Sequence, residues 1–532
     1  MEPRPRIAEN PVIRGFAPDP SIVRVDGWYY VARSSFEWFP IIPIHRSRDM
    51  VDWEFVGSVA TAAPGGHLIG VPDSGGIWAP ALSHAAGRFW VVYSILRNSE
   101  GPSHDRETYL CTAETMVGDW SEPVRLSGYG FDPSLFEERH YLLNVQCDSR
   151  PGHDFFSGIV MTEIDEAGLR VGGGPGLLLQ HDRLIEGPKL MHRDGWFYLS
   201  LAEGGTGIEH GTRVTRSRQL WGPYEGDHRD PLTSRDDPTV ILQKAGHSEF
   251  VQSPDGEWFL AHLATRMVQT PEGPRGPLGR ETSIQAVTLE QDGWPRLTDG
   301  GHHPFLEVSV PKSSADVASI GPPAEPCRLG WPWSSLRGET QGWAESLRPD
   351  LIRPRGRQSP SSLFECSLLA QRIAELDGTA EVEVVCAPSS FTEGAGLALW
   401  CNSSSYFLLG VTWTEPEDEP QHGQQWPGGG RTVLRLSVRD ANGLTSSIIA
   451  DLEPGPVRLQ ARVNGSTAQF RAAQRGGQLT EVGSALDFSQ LSEEYGGRLR
   501  FTGAFAGIYA YDLVDACFSA EFTDFVLSSS RD

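Results

Sequence analysis

In the N-terminal half, short apolar runs closed by Gly, Pro, Asn or Asp follow one another, and no segment of useful length repeats its apolar positions at helical spacing. That is the pattern of short β-strands. One grammar recurs five times: a polar or aromatic residue, usually beside Pro or Gly, then an apolar strand, a turn and an aromatic-rich strand. Asp19-Pro20-Ser21-Ile22-Val23 leads through Asp26-Gly27 to Trp28-Tyr29-Tyr30, and Trp78-Ala79-Pro80 leads through Gly87 to Phe89-Trp90. Asp132-Pro133-Ser134-Leu135-Phe136 turns into Tyr141-Leu142-Leu143. Glu186-Gly187-Pro188 passes Asp194-Gly195 to reach Trp196-Phe197-Tyr198, and Gly246-His247-Ser248 passes Asp255-Gly256 to reach Trp258-Phe259-Leu260. In four of the five units the Gly or Asp-Gly marks a hairpin.

The lead residues Asp19, Trp78, Asp132, Glu186 and His247 are spaced by 59, 54, 54 and 61 positions. A unit of this size holds three or four strands, the third of them read around Trp53, Trp120 and Trp221. Five such units predict a five-bladed β-propeller over residues 1–308. A segment rich in Ser, Ala and Pro, 309–334, reads as a linker. Residues 335–532 return to short strands, such as Glu381–Val385, Gly396–Trp400, Tyr406–Val411 and Val433–Val438, and predict an antiparallel β-sandwich. The fold class is therefore all-β, a propeller followed by a sandwich.

Composition narrows the partners. With 45 basic and 69 acidic residues the formal charge is −24, which repels nucleic acid and anionic membrane. No run approaches the roughly 20 apolar residues that span a bilayer. The seven cysteines are scattered and include no CxxC pair, which argues against a disulfide framework or a zinc site. The opening MEPRPRIAEN has no apolar core, so a cytoplasmic enzyme is the expectation. A small neutral substrate fits this balance, and homo-oligomer formation is left open.

The repeat supplies the chemistry. Innermost strands of a propeller start at one face near the axis, so the five lead residues should form a ring. A lone Asp-Pro is ordinarily a turn and a lone Glu-Gly-Pro is unremarkable; a shared position in three repeats favours function over structure. Like charges buried together are costly and call for a catalytic or metal-binding reason. Hydrolysis of a glycosidic bond needs two carboxyl groups, one to protonate the leaving oxygen and one to activate water or attack the sugar. Asp19 and Glu186 would face each other across the axis, with Asp132 beside Glu186 raising its pKa.

Longer motifs then identify a resemblance. Asn10–Ile22, Ser34–Pro40, Ser74–Pro80, Asp132–Phe136, Glu186–Pro188, Gly204–Gly207 and Gly279–Thr282 resemble, in order, the β-xylosidase branch of glycoside hydrolase family 43. Ser359–Glu365 and Phe501–Gly507 are similar to the sandwich of that branch. The resemblance implies single-displacement inversion, for which the two carboxyls stand about 6.5–9.5 Å apart. It implies Asp19 as general base, Glu186 as general acid and Asp132 as the residue that tunes the acid. It also implies Arg280 as a hydrogen-bond donor to the terminal sugar, Phe36, Trp78 and Thr206 in the sugar pocket, and Phe505 on a loop of the sandwich that covers the propeller mouth. From the residues alone, Phe36 and Trp78 read equally as blade packing and Phe505 as core.

The implied activity is release of terminal xylose from xylo-oligosaccharides, with α-L-arabinofuranosidase on the same site as the alternative. A non-catalytic carbohydrate-binding propeller and a scaffold for protein partners are the other readings; three acids on one ring speak against both. No cofactor is required. His247 keeps two readings, a hydrogen-bonding residue or a ligand to calcium or another divalent cation on the axis. The chain departs from the branch at Cys147-Asp148-Ser149-Arg150, where Trp-Asp-His-Arg is usual, and at Tyr509-Ala510-Tyr511-Asp512, where Cys-Ala-Gln-Asp is common. Both changes leave the preferred pentose open.

Overall fold

Each of the five sequence units folds into a four-stranded antiparallel sheet. The structure is a computed structural model that describes residues 6–60, 68–99, 103–126, 129–136, 141–165, 174–234, 237–311, 329–415, 429–497 and 500–531. The turn expected after Phe136 (137–140) and the linker positions 312–328 lie outside the described residues.

The innermost strands of the blades are Ser21–Val25, Gly76–Ala85, Gly130–Phe136, Ile185–Arg193 and Leu242–Gln252. Each packs on the next, and the fifth returns to the first, so the blades close a ring. The apolar residues are spent between blades. Ile41, Ile44, Ile77, Val91 and Tyr93 join blades one and two, while Val92, Leu110 and Leu142 join two and three. Leu143, Ile159, Leu199 and Leu201 join three and four; Val214, Leu260 and Val287 join four and five. Ile22, Val31, Phe259 and Ile284 join five to one. Both faces of each blade are thus buried, which explains why the strands read as runs of apolar residues as often as alternation. Trp53, Trp120 and Trp221 lie after the third strands rather than in them, in the turns that lead to the fourth.

The chain ends of the propeller clasp each other. Strand Arg6–Glu9 pairs antiparallel with Glu307–Val310. Buried Asn10 locks this clasp: its amide donates to the carbonyls of Ile284 (2.7 Å) and Phe305 (2.8 Å) and accepts from Ile284 N–H (2.9 Å). Asn10→Ala strands these buried backbone groups and should cost about 2–3 kcal/mol, read as a lower urea midpoint for the propeller transition; an unchanged midpoint would refute the lock.

By contact density the chain forms two units, Met1–Met267 with Arg280–Pro322 and Val268–Gly279 with Pro323–Asp532. The excursion Val268–Gly279, inside the 1–308 span read as propeller, thus groups with the second unit. There Leu278 joins the sandwich core, Gly276 N–H donates to Glu494 (2.9 Å), and Ala504 N–H donates to the Pro277 carbonyl (2.7 Å). The second unit is a β-sandwich. Glu393–Asn402 and Phe505–Asp512 lie centrally in one sheet, and Asp377–Val385 and Val457–Asn464 in the other. Alternation is clean in Val457–Asn464, where Val457, Leu459, Ala461 and Val463 face the core. Two short 3-10 turns, Phe488–Gln490 and Tyr495–Gly497, are the helical elements among the described residues.

Candidate active site

In four blades the inner strand carries the same irregularity. The pairing with the second strand skips at Ala79-Pro80, Asp132-Pro133, Gly187-Pro188 and His247-Ser248. In each case the first residue of the pair has positive φ: 34° for Ala79, 50° for Asp132, 54° for Gly187 and 51° for His247. Asp19, followed by Pro20, takes φ 53° at the start of blade one. These are β-bulges, which re-aim side chains beside active sites. They also revise the sequence register. Asp19, Ala79, Asp132, Gly187 and His247 are the equivalent positions, whereas Glu186 and Trp78 stand one residue earlier, in the regular ladder. The expected single shared position for all three acids is therefore off by one at Glu186.

Asp19 and Asp132 are buried and Glu186 is recessed but partly open. Asp19 is held from three sides. Ser34 Oγ donates to Oδ2 (2.6 Å), Arg280 Nη1 donates to Oδ1 (3.1 Å), and His247 Nδ1 lies 3.5 Å from Oδ1. Ser34 itself is fixed by accepting the Ala79 N–H (2.7 Å), which ties blade one to blade two. Burial alone would raise the pKa of Asp19, but Arg280, His247 and Ser34 outweigh it and hold it below the usual value.

Asp132 and Glu186 go the other way. Burial and the charges of Glu186 and Asp19 raise Asp132 well above its ordinary value, against a hydrogen bond from Gly187 N–H (3.0 Å). Loss of water contact, then the charge of Asp19, pushes Glu186 up to about 7. The two titrate as a pair that keeps a proton well above the pH at which an isolated carboxyl would lose it.

Two histidines complete the ring. His247 packs on Gly187, where an added Cβ would come within 2.9 Å of Nε2, so a side chain at 187 would displace the ring. Burial pushes His247 down to about 4. His210 donates from Nδ1 to the Gly205 carbonyl, and burial takes it to about 3. Both are neutral at neutral pH. Among the described residues no group of three or more His, Cys, Asp or Glu is arranged to hold a metal.

An arc of aromatic rings borders the acids. Phe36 meets Phe16 (5.9 Å between centroids) and Trp78 (6.2 Å), and Trp78 meets Phe131 edge-on (5.6 Å). The Arg280 guanidinium lies 5.6 Å from the Phe36 centroid. Phe36, Trp78 and Arg280 thus come together with Asp19. Thr206 is half-buried in the turn after strand Trp196–Glu203, next to the Gly205 carbonyl that His210 holds. Phe505 belongs to the second unit, where it opens its strand opposite Arg372 and Trp400.

Sequence reasoning missed Ser34, His210 and Arg106. Ser34 was visible as part of the Ser34–Pro40 motif, but no pattern distinguished it. Arg106, on the third strand of blade two, interacts electrostatically with Cys147, Asp132 and Glu186, and burial lowers its pKa. The Cys147 departure was the one sequence signal pointing to that corner.

Comparison with known proteins agrees with this architecture. The family description "Glycosyl hydrolases family 43" matches residues 8–295, and "Beta xylosidase C-terminal Concanavalin A-like domain" matches 325–528. The chain is 38% identical to "Xylosidase/arabinosidase 43B" of Humicola insolens, with 97% of each chain covered. It is 35% identical to "Beta-xylosidase" of Bacillus subtilis (strain 168), covering 97% of this chain and 98% of that one. The crystal structure of xylan beta-1,4-xylosidase from Bacillus halodurans C-125 superposes with a TM-score of 0.87 at 35% identity, over 98% of this chain and 100% of that one.

Proposed function

Because the chain belongs to glycosyl hydrolases family 43, we propose that this glycoside hydrolase removes terminal xylose from xylo-oligosaccharides with inversion. The observation that carries the reading is the opposed electrostatics of carboxyls on one ring: Asp19 is held ionised, while Glu186 and Asp132 share a retained proton. Acid and base assignments follow from such separation.

In this reading, Asp19 removes a proton from water as the water oxygen bonds to the anomeric carbon. Glu186 gives its proton to the glycosidic oxygen as the carbon–oxygen bond breaks. Asp132, coupled to Glu186, helps the pair retain its proton. Arg280, while pairing with Asp19, would donate to a hydroxyl of the terminal sugar, and Phe36 and Trp78 would pack on its carbon face.

Release of arabinofuranose is the second reading. The name of the Humicola relative, "Xylosidase/arabinosidase 43B", and the loss of the expected aromatic at Cys147 favour keeping it. Product analysis by NMR on xylobiose and on arabino-oligosaccharides reports sugar and anomer together. Formation of the inverted sugar is expected; retention, or no turnover of either substrate, would overturn the proposal.

The pH profile provides a second check. Glu186 acts only while protonated, so kcat/KM should fall as pH rises through about 7. Asp19 acts only while ionised, and its pKa is depressed, so the acidic limb should fall below the ordinary Asp range. A profile still rising above pH 8, about a unit beyond the value for Glu186, would count against Glu186 as the acid.

A further inference from the structure

Beside Cys147, where the resemblance expects a tryptophan, an arginine from the neighbouring blade occupies the corner. Arg106 is paired with Leu96, which pairs with Gly76 on the inner strand two residues from Trp78. The three residues form one row across blade two, at the end that carries its bulge. The Arg106 guanidinium reaches toward blade three and lies 5.3 Å from the Phe131 centroid and 5.2 Å from that of Phe155. Phe131 directly precedes Asp132. Phe156 closes the cluster, 5.0 Å from Phe155 and 5.9 Å from Phe131, and pairs across the ladder with Cys147.

The donors of Arg106 are only partly used. Nη2 lies 2.6 Å from His104 Nδ1, while Nε is buried with no hydrogen-bond partner among the described residues. A buried guanidinium N–H without an acceptor is unfavourable and seeks one. The two arginines of the ring also divide its charges. Arg280 pairs directly with Asp19, whereas Arg106 acts on Glu186 and Asp132. The general acid must touch the oxygen of the departing group, so a residue on the acid's side of the ring lies toward the leaving group.

We propose that Arg106 forms the leaving-group subsite and selects for a departing sugar, whose hydroxyl oxygens accept from its guanidinium, over a flat aromatic aglycone. The inference rests on Glu186 being the general acid. A tryptophan at 147 would offer a stacking face to either kind of leaving group. Cys147 offers none, and the planar guanidinium, held between Phe131 and Phe155, presents donors in a fixed fork. Discrimination then comes from hydrogen bonds that an aromatic aglycone cannot return.

The test compares the disaccharide that the parent hydrolyses, xylobiose or arabinobiose, with the 4-nitrophenyl glycoside of the same sugar. Both are measured for the parent, Arg106→Ala and Arg106→Lys from the acidic plateau to the upper limb. In Arg106→Ala the ratio of kcat/KM for disaccharide to that for nitrophenyl glycoside should drop about 10–100-fold, the range expected for hydrogen bonds to a charged group. The drop should persist at every pH and appear mainly in KM, and Lys should restore part of it. An equal loss on both substrates would mean that Arg106 favours neither leaving group, and a change confined to an upward shift of the upper limb would mean that it acts only on the ionisation of Glu186; either outcome would sink the subsite. If the parent turned over neither disaccharide, the proposed function would fail first, and its failure would be visible without any variant.

Discussion

Asp19→Asn should lower kcat by about 10³–10⁴-fold, the upper range for loss of a general base, and by the same factor on every glycoside the parent accepts. Asn fills the same space and can still accept from Ser34 through its side-chain oxygen. What it loses is the charge that Arg280 stabilises and the ability to take a proton from water. Every substrate needs that water, whatever its leaving group. The measurement is kcat on xylobiose and on nitrophenyl xyloside in parallel. A variant within tenfold of the parent on both, or a loss confined to one, would remove Asp19 from the role of base.

Glu186→Ala should behave differently. On xylobiose, whose departing alkoxide needs a proton, kcat should fall about 10²–10⁴-fold; on nitrophenyl xyloside, whose phenolate leaves unaided, by less than about tenfold. The upper limb of the pH profile should vanish with the group that produced it, since Glu186 is the carboxyl pushed up to about 7. Asp132 then loses the neighbouring negative charge that follows burial among the causes of its own elevation. A uniform loss across leaving groups would instead mark Glu186 as a binding or structural residue. Together the two variants make a signature, leaving-group independent for the base and leaving-group dependent for the acid, that a carbohydrate-binding propeller without catalysis could not produce.

The blades were legible because most repeat their turn chemistry: Asp26-Gly27, Asp194-Gly195 and Asp255-Gly256 fix hairpins by backbone preference, a local property that sequence carries well. The three acids were legible for the same reason, each beside a Pro or Gly at a strand start. The register was not. A bulge adds a residue to one strand alone, and only the cross-strand pairing, Ala202 opposite Glu186 and Ser200 opposite Lys189, reveals it. Arg106 was missed on similar grounds: its side chain spans from one blade to the next, and only the neighbour's Phe131 and Phe155 give it a place. The grouping of Val268–Gly279 with the second unit was likewise hidden, because contacts such as Ala504 with Pro277 join positions more than two hundred residues apart.

The clasp between Arg6–Glu9 and Glu307–Val310 has a consequence in time. Strand Arg6–Glu9 cannot find its partner until some three hundred further residues have been made. At roughly 5–20 residues per second that is a wait of about 15–60 seconds. During it, blades one to four can form their hairpins as they emerge, while Arg6–Glu9 keeps an unsatisfied strand edge. Synthesis therefore imposes an order on this ring: its earliest residues are among the last to be secured, and a nascent chain halted before residue 307 should remain a substrate for holdase chaperones and proteases that the finished protein escapes.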